Sequence, residues 1–307
     1  PQGRRHMTIV LANPSSSGFT GGSLRTVLNA LGDDARAVWP KDAAGSTLAA
    51  AEAGRAGETV VAMGGDGTVH HIARGLIGTP GRLAIIPVGT TNVLSRLLGI
   101  PARTAEAAAV AADGEVASVR TARVEYEQLD GTVVGRPVLF SLGVGWDAEV
   151  VAAAETEPYR KARGGVRLYA RAAVVQLRRE VGRLPDLSVT TTPALDDPLA
   201  TAIQLQVQDA YTFAGPLSMR IGPPAETGFT VAVWRRITGP SVVPLALASQ
   251  RADGLTKRPE VDVVEATAVE LAAEHGTRLQ IDGEPLGELI RLRVSMGPPL
   301  DVLVPDL

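Results

Sequence analysis

Gly64-Gly65-Asp66-Gly67-Thr68 is the densest local concentration of residues able to do chemistry. It directly follows the β-rich run Thr59–Met63 and precedes the helix-like run Val69–Leu76. Glycines at such a junction let the backbone turn tightly and come close to a ligand, and the N–H groups at a helix start suit a phosphate. Asp66 would repel a bare phosphate, but it has a purpose where Mg²⁺ stands between carboxylate and phosphate oxygens. The plainer alternative is a glycine-rich turn. Downstream, Ile86-Pro87-Val88-Gly89-Thr90-Thr91-Asn92 repeats the strand–turn–helix arrangement. Thr90, Thr91 and Asn92 bring short polar side chains to a helix start, either as N-caps or as ligands for a nucleotide. Turns from neighbouring parallel strands face one crevice at the carboxyl ends of the strands.

A second pattern lies near the other end. Asp282-Gly283-Glu284 sets two carboxylates one glycine apart, after the apolar run Leu279–Ile281. Both side chains can serve one site; the alternative is an Asp-Gly hairpin turn into Leu286–Leu292. Other signals carry less. No GxxxxGK[ST] loop is present, and Gly143-Val144-Gly145-Trp146-Asp147-Ala148, which has GxGxxA spacing, lies in a β-rich region and reads as a turn. His70 and His71 are neighbours on a helix, where adjacent residues point different ways, and read as packing or solvated residues. Arg160, Lys161, Arg163, Arg167, Arg171, Arg178, Arg179 and Arg183 are opposed only by Glu180. On a helix Arg167, Arg171 and Arg178 share a face, which suits either an anionic membrane surface or plain solvent.

These residues need elements to hold them. The 307 residues are 45% hydrophobic and 21% charged, with a net charge of −3 and no cysteine. That supports a sizeable core and excludes a disulfide scaffold, a cysteine–zinc site and a thiol nucleophile. The charge balance is not that of a general nucleic-acid binder, and no apolar run approaches the ~20 residues of a spanning helix. A cytoplasmic enzyme is expected, with the basic stretch as a peripheral contact at the inner face of the membrane. Pro1–His6 reads as an addition ahead of Met7. From Thr8–Ala12 to the Ala-rich helix Thr104–Ala112, strand-like and helix-like runs alternate, which predicts a parallel α/β domain over residues 7–117. The remainder, 118–297, is mostly strand-like, with single strands expected over Val119–Tyr126 and Val133–Leu142, separate strands over Ala268–Leu271 and Leu279–Ile281, and one long helix over about Val166–Val181. The fold class is therefore α/β plus mostly β.

The glycine motif followed by Pro87-x-Gly89-Thr90-x-Asn92-x-Leu94-x-Arg96-x-Leu98-Gly99-Ile100-Pro101 resembles the diacylglycerol kinase catalytic domain superfamily of lipid kinases. Asn13-Pro14-Ser15, Phe140–Glu149 and Gln280–Leu286 resemble its further motifs in order, so the resemblance covers nearly the whole chain. It implies an N-terminal nucleotide-binding domain, a β-sandwich-like second domain, an active site between them and a tail, 298–307, packed back on the first domain. It implies ATP and Mg²⁺ as cofactors, with Gly64, Gly65, Asp66, Gly67 and Thr68 at the phosphates and the metal. Asn13, Ser15, Gly89, Thr90 and Asn92 would line the nucleotide site. Asp282 would be the general base for a lipid hydroxyl, with Glu284 beside it. The substrate implied is diacylglycerol or a related lipid alcohol. An NAD kinase, which shares the glycine motif, and a nucleotide-binding regulator without catalysis are the alternatives. The stretch Ile221–Gly228, shortened against the family's Asp-rich loop and retaining Glu226, predicts no tight second Mg²⁺. The oligomeric state is left open.

Overall fold

The computed structural model describes residues 7–155, 173–214, 217–248, 251 and 253–306. The chain divides into two compact units, Pro1–Arg120 with Pro298–Leu307, and Thr121–Gly297.

In the first unit, β1 (Thr8–Ala12), β2 (Ala35–Val38), β3 (Thr59–Gly64), β4 (Arg82–Pro87), β5 (Glu115–Val119) and the C-terminal β18 (Leu300–Val304) form one sheet in the order β2-β1-β3-β4-β18-β5. All neighbours are parallel except β18 and β5. Every residue of β3 is buried, as expected of a central strand covered on both faces. The helices are α1 (Gly21–Leu31), α2 (Ala43–Arg55), α3 (Asp66–Leu76), α4 (Val93–Leu97) and α5 (Thr104–Asp113); α1 packs with α5, and α2 with α3. A reciprocal Thr20–Ser23 capping box starts α1. The strand β2 and helix α2 were not marked by the sequence pattern. In α2 alanine, glycine and serine fill most positions, so the contrast between apolar and polar faces is too weak to show a period.

In the second unit, β6 (Ala122–Gln128), β7 (Val133–Val138), β8 (Ser141–Val144), β9 (Leu187–Thr192), β10 (Leu199–Ala200), β11 (Ala202–Gln206), β14 (Phe229–Trp234), β15 (Val261–Ala266), β16 (Ala268–Ile281) and β17 (Glu284–Met296) form an antiparallel sheet. Its main order is β15-β14-β11-β8-β16-β17-β6-β7, with β9 beside the first half of β16 and β8 beside its end. A short ribbon pairs β12 (Thr212–Ala214) with β13 (Leu217–Met219). Val124, Leu142, Leu205, Val231, Leu279 and Leu292 belong to one apolar core drawn from strands along the whole order. A second cluster sets Trp146, Leu177, Trp234 and Leu245 together.

Three expectations are corrected here. Val119–Tyr126 is two strands, because Val119 ends β5 in the first sheet and Ala122 begins β6 in the second. Val133–Leu142 is also two, broken at Leu139–Phe140. Conversely, the two expected strands between Ala268 and Ile281 are one strand with an irregularity between Ala272 and Thr277. Helix α6 (Trp146–Glu155) was not expected. Of the long helix over Val166–Val181, residues 173–179 are helical and those before 173 lie outside the described residues.

Candidate active-site elements

The turns after β1, β3 and β4 are built into one another. Val88 N donates to Gly64 O at 3.0 Å, and a Cβ on Gly89 would stand 2.4 Å from the Gly65 Cα. Only two glycines allow backbones to meet this closely. Asp66 begins α3, and its Oδ1 accepts from Val93 N at 2.6 Å. The carboxylate thereby caps α4, where Asn92 stands at the N-cap but makes no side-chain cap bond. Asn92 instead has φ +51° and closes its own loop: its Oδ1 accepts from Gly89 N at 3.1 Å and its Nδ2 donates to Gly89 O at 2.8 Å. From the β1 side, Asn13 Nδ2 donates to Thr68 Oγ1 at 3.1 Å and Asn13 Oδ1 accepts from Ser15 N at 3.0 Å. Gly18 N donates to Val88 O at 2.9 Å, and the Ser17 and Thr90 hydroxyls are 3.4 Å apart. Asn13, Ser15, Gly64, Gly65, Asp66, Thr68, Gly89, Thr90 and Asn92 thus belong to one connected cluster at the carboxyl ends of β1, β3 and β4.

The cluster suits a nucleotide carrying Mg²⁺. Gly65, the N-cap of α3, has no side chain to occupy the first-turn N–H groups, and a Cβ on Gly67 would meet nothing within 4 Å. Ser15, Gly67 and Thr90 are exposed. Asp66 is the one carboxylate among these residues, and Mg²⁺ is commonly held by one or two carboxylates with substrate phosphates and water completing its shell. Trp39, at the carboxyl end of β2, was not singled out by sequence; it is 50% exposed and meets Phe19 edge-on with ring centroids 5.9 Å apart.

In the second unit, Asp282 (φ +50°) and Gly283 (φ +80°) are the two turn residues between the paired Ile281 and Glu284. The hairpin alternative is therefore realised, with the two positive φ angles of a type I′ turn. Yet Asp282 is no ordinary turn residue, being only 8% exposed. Its Oδ1 accepts from Phe140 N at 2.9 Å and Ser141 N at 3.0 Å, and its Oδ2 from Leu139 N at 2.9 Å. Gathering three consecutive N–H groups on one carboxylate bends the chain between β7 and β8, which accounts for the broken strand. Glu284 differs: its side chain is exposed, and its Oε2 lies 3.4 Å from Arg136 Nη1.

Sequence reasoning missed a buried polar network beside this hairpin. Asp147, in the first turn of α6, accepts from Gln204 Nε2 at 2.7 Å on Oδ1, and from Tyr211 OH at 2.5 Å and Gln280 Nε2 at 3.0 Å on Oδ2. Burial pushes the Asp147 carboxyl above its usual range despite these donors, and burial followed by the Asp147 charge pushes the Tyr211 hydroxyl well above its own. Tyr211 therefore stays a donor.

The remaining sequence candidates are placed as follows. His70 is buried, His71 half-buried, and their rings meet edge-on at 5.7 Å. Among the described residues no group of three or more His, Cys, Asp or Glu could hold a metal ion. In the shortened stretch, Glu226 N and Thr227 N donate to Glu265 at 3.1 and 2.8 Å, which holds the Glu265 carboxyl below its usual range. Arg178 and Arg179 are exposed, while Arg183 pairs with Glu180 at 3.1 Å and Asp186 at 2.7 Å. Arg160–Arg171 lie outside the described residues. No helix among the described residues is long and apolar enough to cross a membrane.

Residues 7–124 match the family model described as the diacylglycerol kinase catalytic domain. A curated relative named "Probable lipid kinase YegS-like", from Enterobacter sp. (strain 638), is 27% identical over 258 residues, 78% of this chain and 76% of that protein. Shorter alignments with three other curated relatives span only 20–25% of those proteins' length. A crystal structure of a diacylglycerol kinase from Bacillus anthracis str. Sterne shares the fold over 97% of both chains, with a TM-score of 0.69 and 17% identity. Yeast NADH kinase shares it with a TM-score of 0.55 and 10% identity, over 100% of this chain and 85% of that one. The matched residues, 7–124, contain all three turns of the cluster, from Asn13 to Asn92.

Proposed function

We propose that the chain is an ATP- and Mg²⁺-dependent lipid kinase that transfers the γ-phosphoryl group to a hydroxyl of diacylglycerol or a related lipid alcohol. The observation that carries this reading is the interlocked cluster of Asn13, Asp66, Thr68 and Gly89 inside the segment that matches the kinase family. In this reading the N–H groups at the start of α3 and the Gly65 and Gly67 backbone receive the phosphates. Asn13, Ser15, Thr90 and Asn92 shape the nucleotide site, and Asp66 holds Mg²⁺, which when bound offsets charge on the transferring phosphoryl group. Asp282 takes the proton of the attacking lipid hydroxyl, and Glu284 orients or tunes it. The similarity to an NADH kinase fold favours NAD phosphorylation as the second reading; the segment Gly89–Pro101 and the Asp282–Glu284 pattern favour a lipid acceptor.

Asp66 has two duties in this scheme, a structural cap and a metal ligand, and two substitutions separate them. Asp66→Asn keeps an oxygen for Val93 N but loses the charge, whereas Asp66→Ala loses both. Calorimetric Mg²⁺-ATP affinity should collapse in both variants. The melting temperature should fall clearly only in Asp66→Ala, by the equivalent of about 0.5–2 kcal/mol for a lost cap. Wild-type nucleotide affinity in Asp66→Asn would remove Asp66 from the metal site.

A further inference from the structure

Gln280 is the penultimate residue of β16, two positions before the Asp282 hairpin begins to turn back, and is 1% exposed. Its amide orientation is fixed by its neighbours. Gly283 N is a donor and lies 2.9 Å from Oε1, so the Nε2 end must face Asp147 Oδ2 at 3.0 Å and Tyr211 OH at 2.6 Å. Gln204 is fixed in the same way: Trp234 Nε1 donates to its Oε1 at 3.0 Å, leaving Nε2 for Asp147. Donors from Trp234, Gln204, Tyr211 and Gln280 thus form one buried chain centred on Asp147 and ending at Gly283. The packing admits little slack, because a Cβ on Gly143 of β8 would lie 2.0 Å from Asp147 Oδ2. A buried carboxylate is costly to keep, and its defensible use is to specify one arrangement over others.

The other side of the hairpin is held by backbone. Asp282 N donates to Ser141 O at 2.8 Å, while the Asp282 carboxylate takes the N–H groups of Leu139, Phe140 and Ser141. The turn is therefore gripped twice, once by β8 and once through Gln280. We infer that Gln280, oriented by Asp147 and Tyr211, is a positioning residue that fixes where the Asp282 carboxylate is presented. Its catalytic consequence rests on the proposed role of Asp282 as base; the positioning itself does not.

The test uses the full chain with two variants, Gln280→Met and Tyr211→Phe, followed by site-resolved amide hydrogen exchange, kcat and KM for ATP. Gln280→Met should speed exchange at Leu139, Phe140, Ser141 and Gly283 by roughly tenfold, the scale of one lost hydrogen bond. Exchange in β1, β3 and β4 should stay unchanged. Turnover should fall with KM for ATP preserved, a split that general loss of stability would not produce. Tyr211→Phe should act in the same direction with a smaller effect, because Gln280 keeps Asp147 as a partner. Wild-type exchange at those four amides in folded Gln280→Met overturns the inference. If that variant does not fold, wild-type exchange in Tyr211→Phe does so. Faster local exchange with unchanged turnover supports the positioning and overturns instead the reading of Asp282 as base.

Discussion

The two candidate regions are built by opposite means. The cluster in the first unit is made by backbone: Gly65 meets Gly89, Val88 N reaches Gly64 O, and the short side chains of Asn13, Asp66 and Asn92 serve mostly to tie turns together. The hairpin in the second unit is held by buried side chains: Asp147, Gln204, Tyr211 and Gln280 come from four separate parts of the chain. A backbone-built site should be sensitive to any added atom and tolerant of changes in charge away from Asp66. A side-chain-built site should be sensitive to exchange of single polar atoms. That difference orders the expected effects of perturbation.

The largest effect is expected at the hairpin. Asp282→Asn cannot take up a proton, and its amide nitrogen would face one of the backbone donors of Leu139–Ser141, so kcat should drop by at least roughly 10²–10⁴ while the bend between β7 and β8 loosens. ATP affinity should change little. Wild-type turnover would leave Asp282 as the organiser of Leu139–Ser141 alone. Next comes the glycine contact. Gly89→Ala must push the two turns apart and should cost about 1–3 kcal/mol, the usual range for overpacking, together with most of the ATP affinity. Thermal melting and calorimetry on the same sample check this, and unimpaired affinity would show that the contact does not shape the nucleotide site.

A smaller effect concerns pH. The Asp147 carboxyl sits above its usual range in the folded protein, so between its ordinary value of 3.8 and the raised one the folded state holds a proton that the unfolded chain has released. Stability from this group is full below that window and declines as pH rises through it, by at most ~1.4 kcal/mol per pH unit. Asp147→Asn should remove that part of the slope in urea titrations run across the acid range. An unchanged slope would mean that the carboxyl is not displaced by burial. The smallest effect is expected from metal removal. Chelation should leave the melting temperature of the nucleotide-free protein within error, since the 221–228 stretch is organised by Glu265. A marked drop would reveal a structural cation.

The same contrast explains what the sequence made legible. Glycines at a strand–helix junction act locally, so the turns around Gly65 and Gly89 could be read from adjacent letters. The run Ala-Ile-Gln-Leu-Gln of β11 alternates apolar and polar residues, yet all five are buried. Gln204 and Gln206 face inward because α6 and neighbouring segments cover that face, a fact of tertiary packing with no local trace. Polar residues at period two inside a run of strong β-formers are the signal that was available. Asp282 shows the limit most clearly. Its Asp-Gly turn was legible, but its three N–H partners lie about 140 residues upstream.

The most direct measurement of the central claim is transfer of label from γ-³²P-ATP, in Mg²⁺ buffer, to a mixed lipid extract and in parallel to NAD, with wild type and Asp282→Asn compared. The account predicts label in the organic phase with wild type, little with Asp282→Asn, and none on NAD. Label on NAD with none in lipid would contradict it, as would ATP binding without transfer to either acceptor.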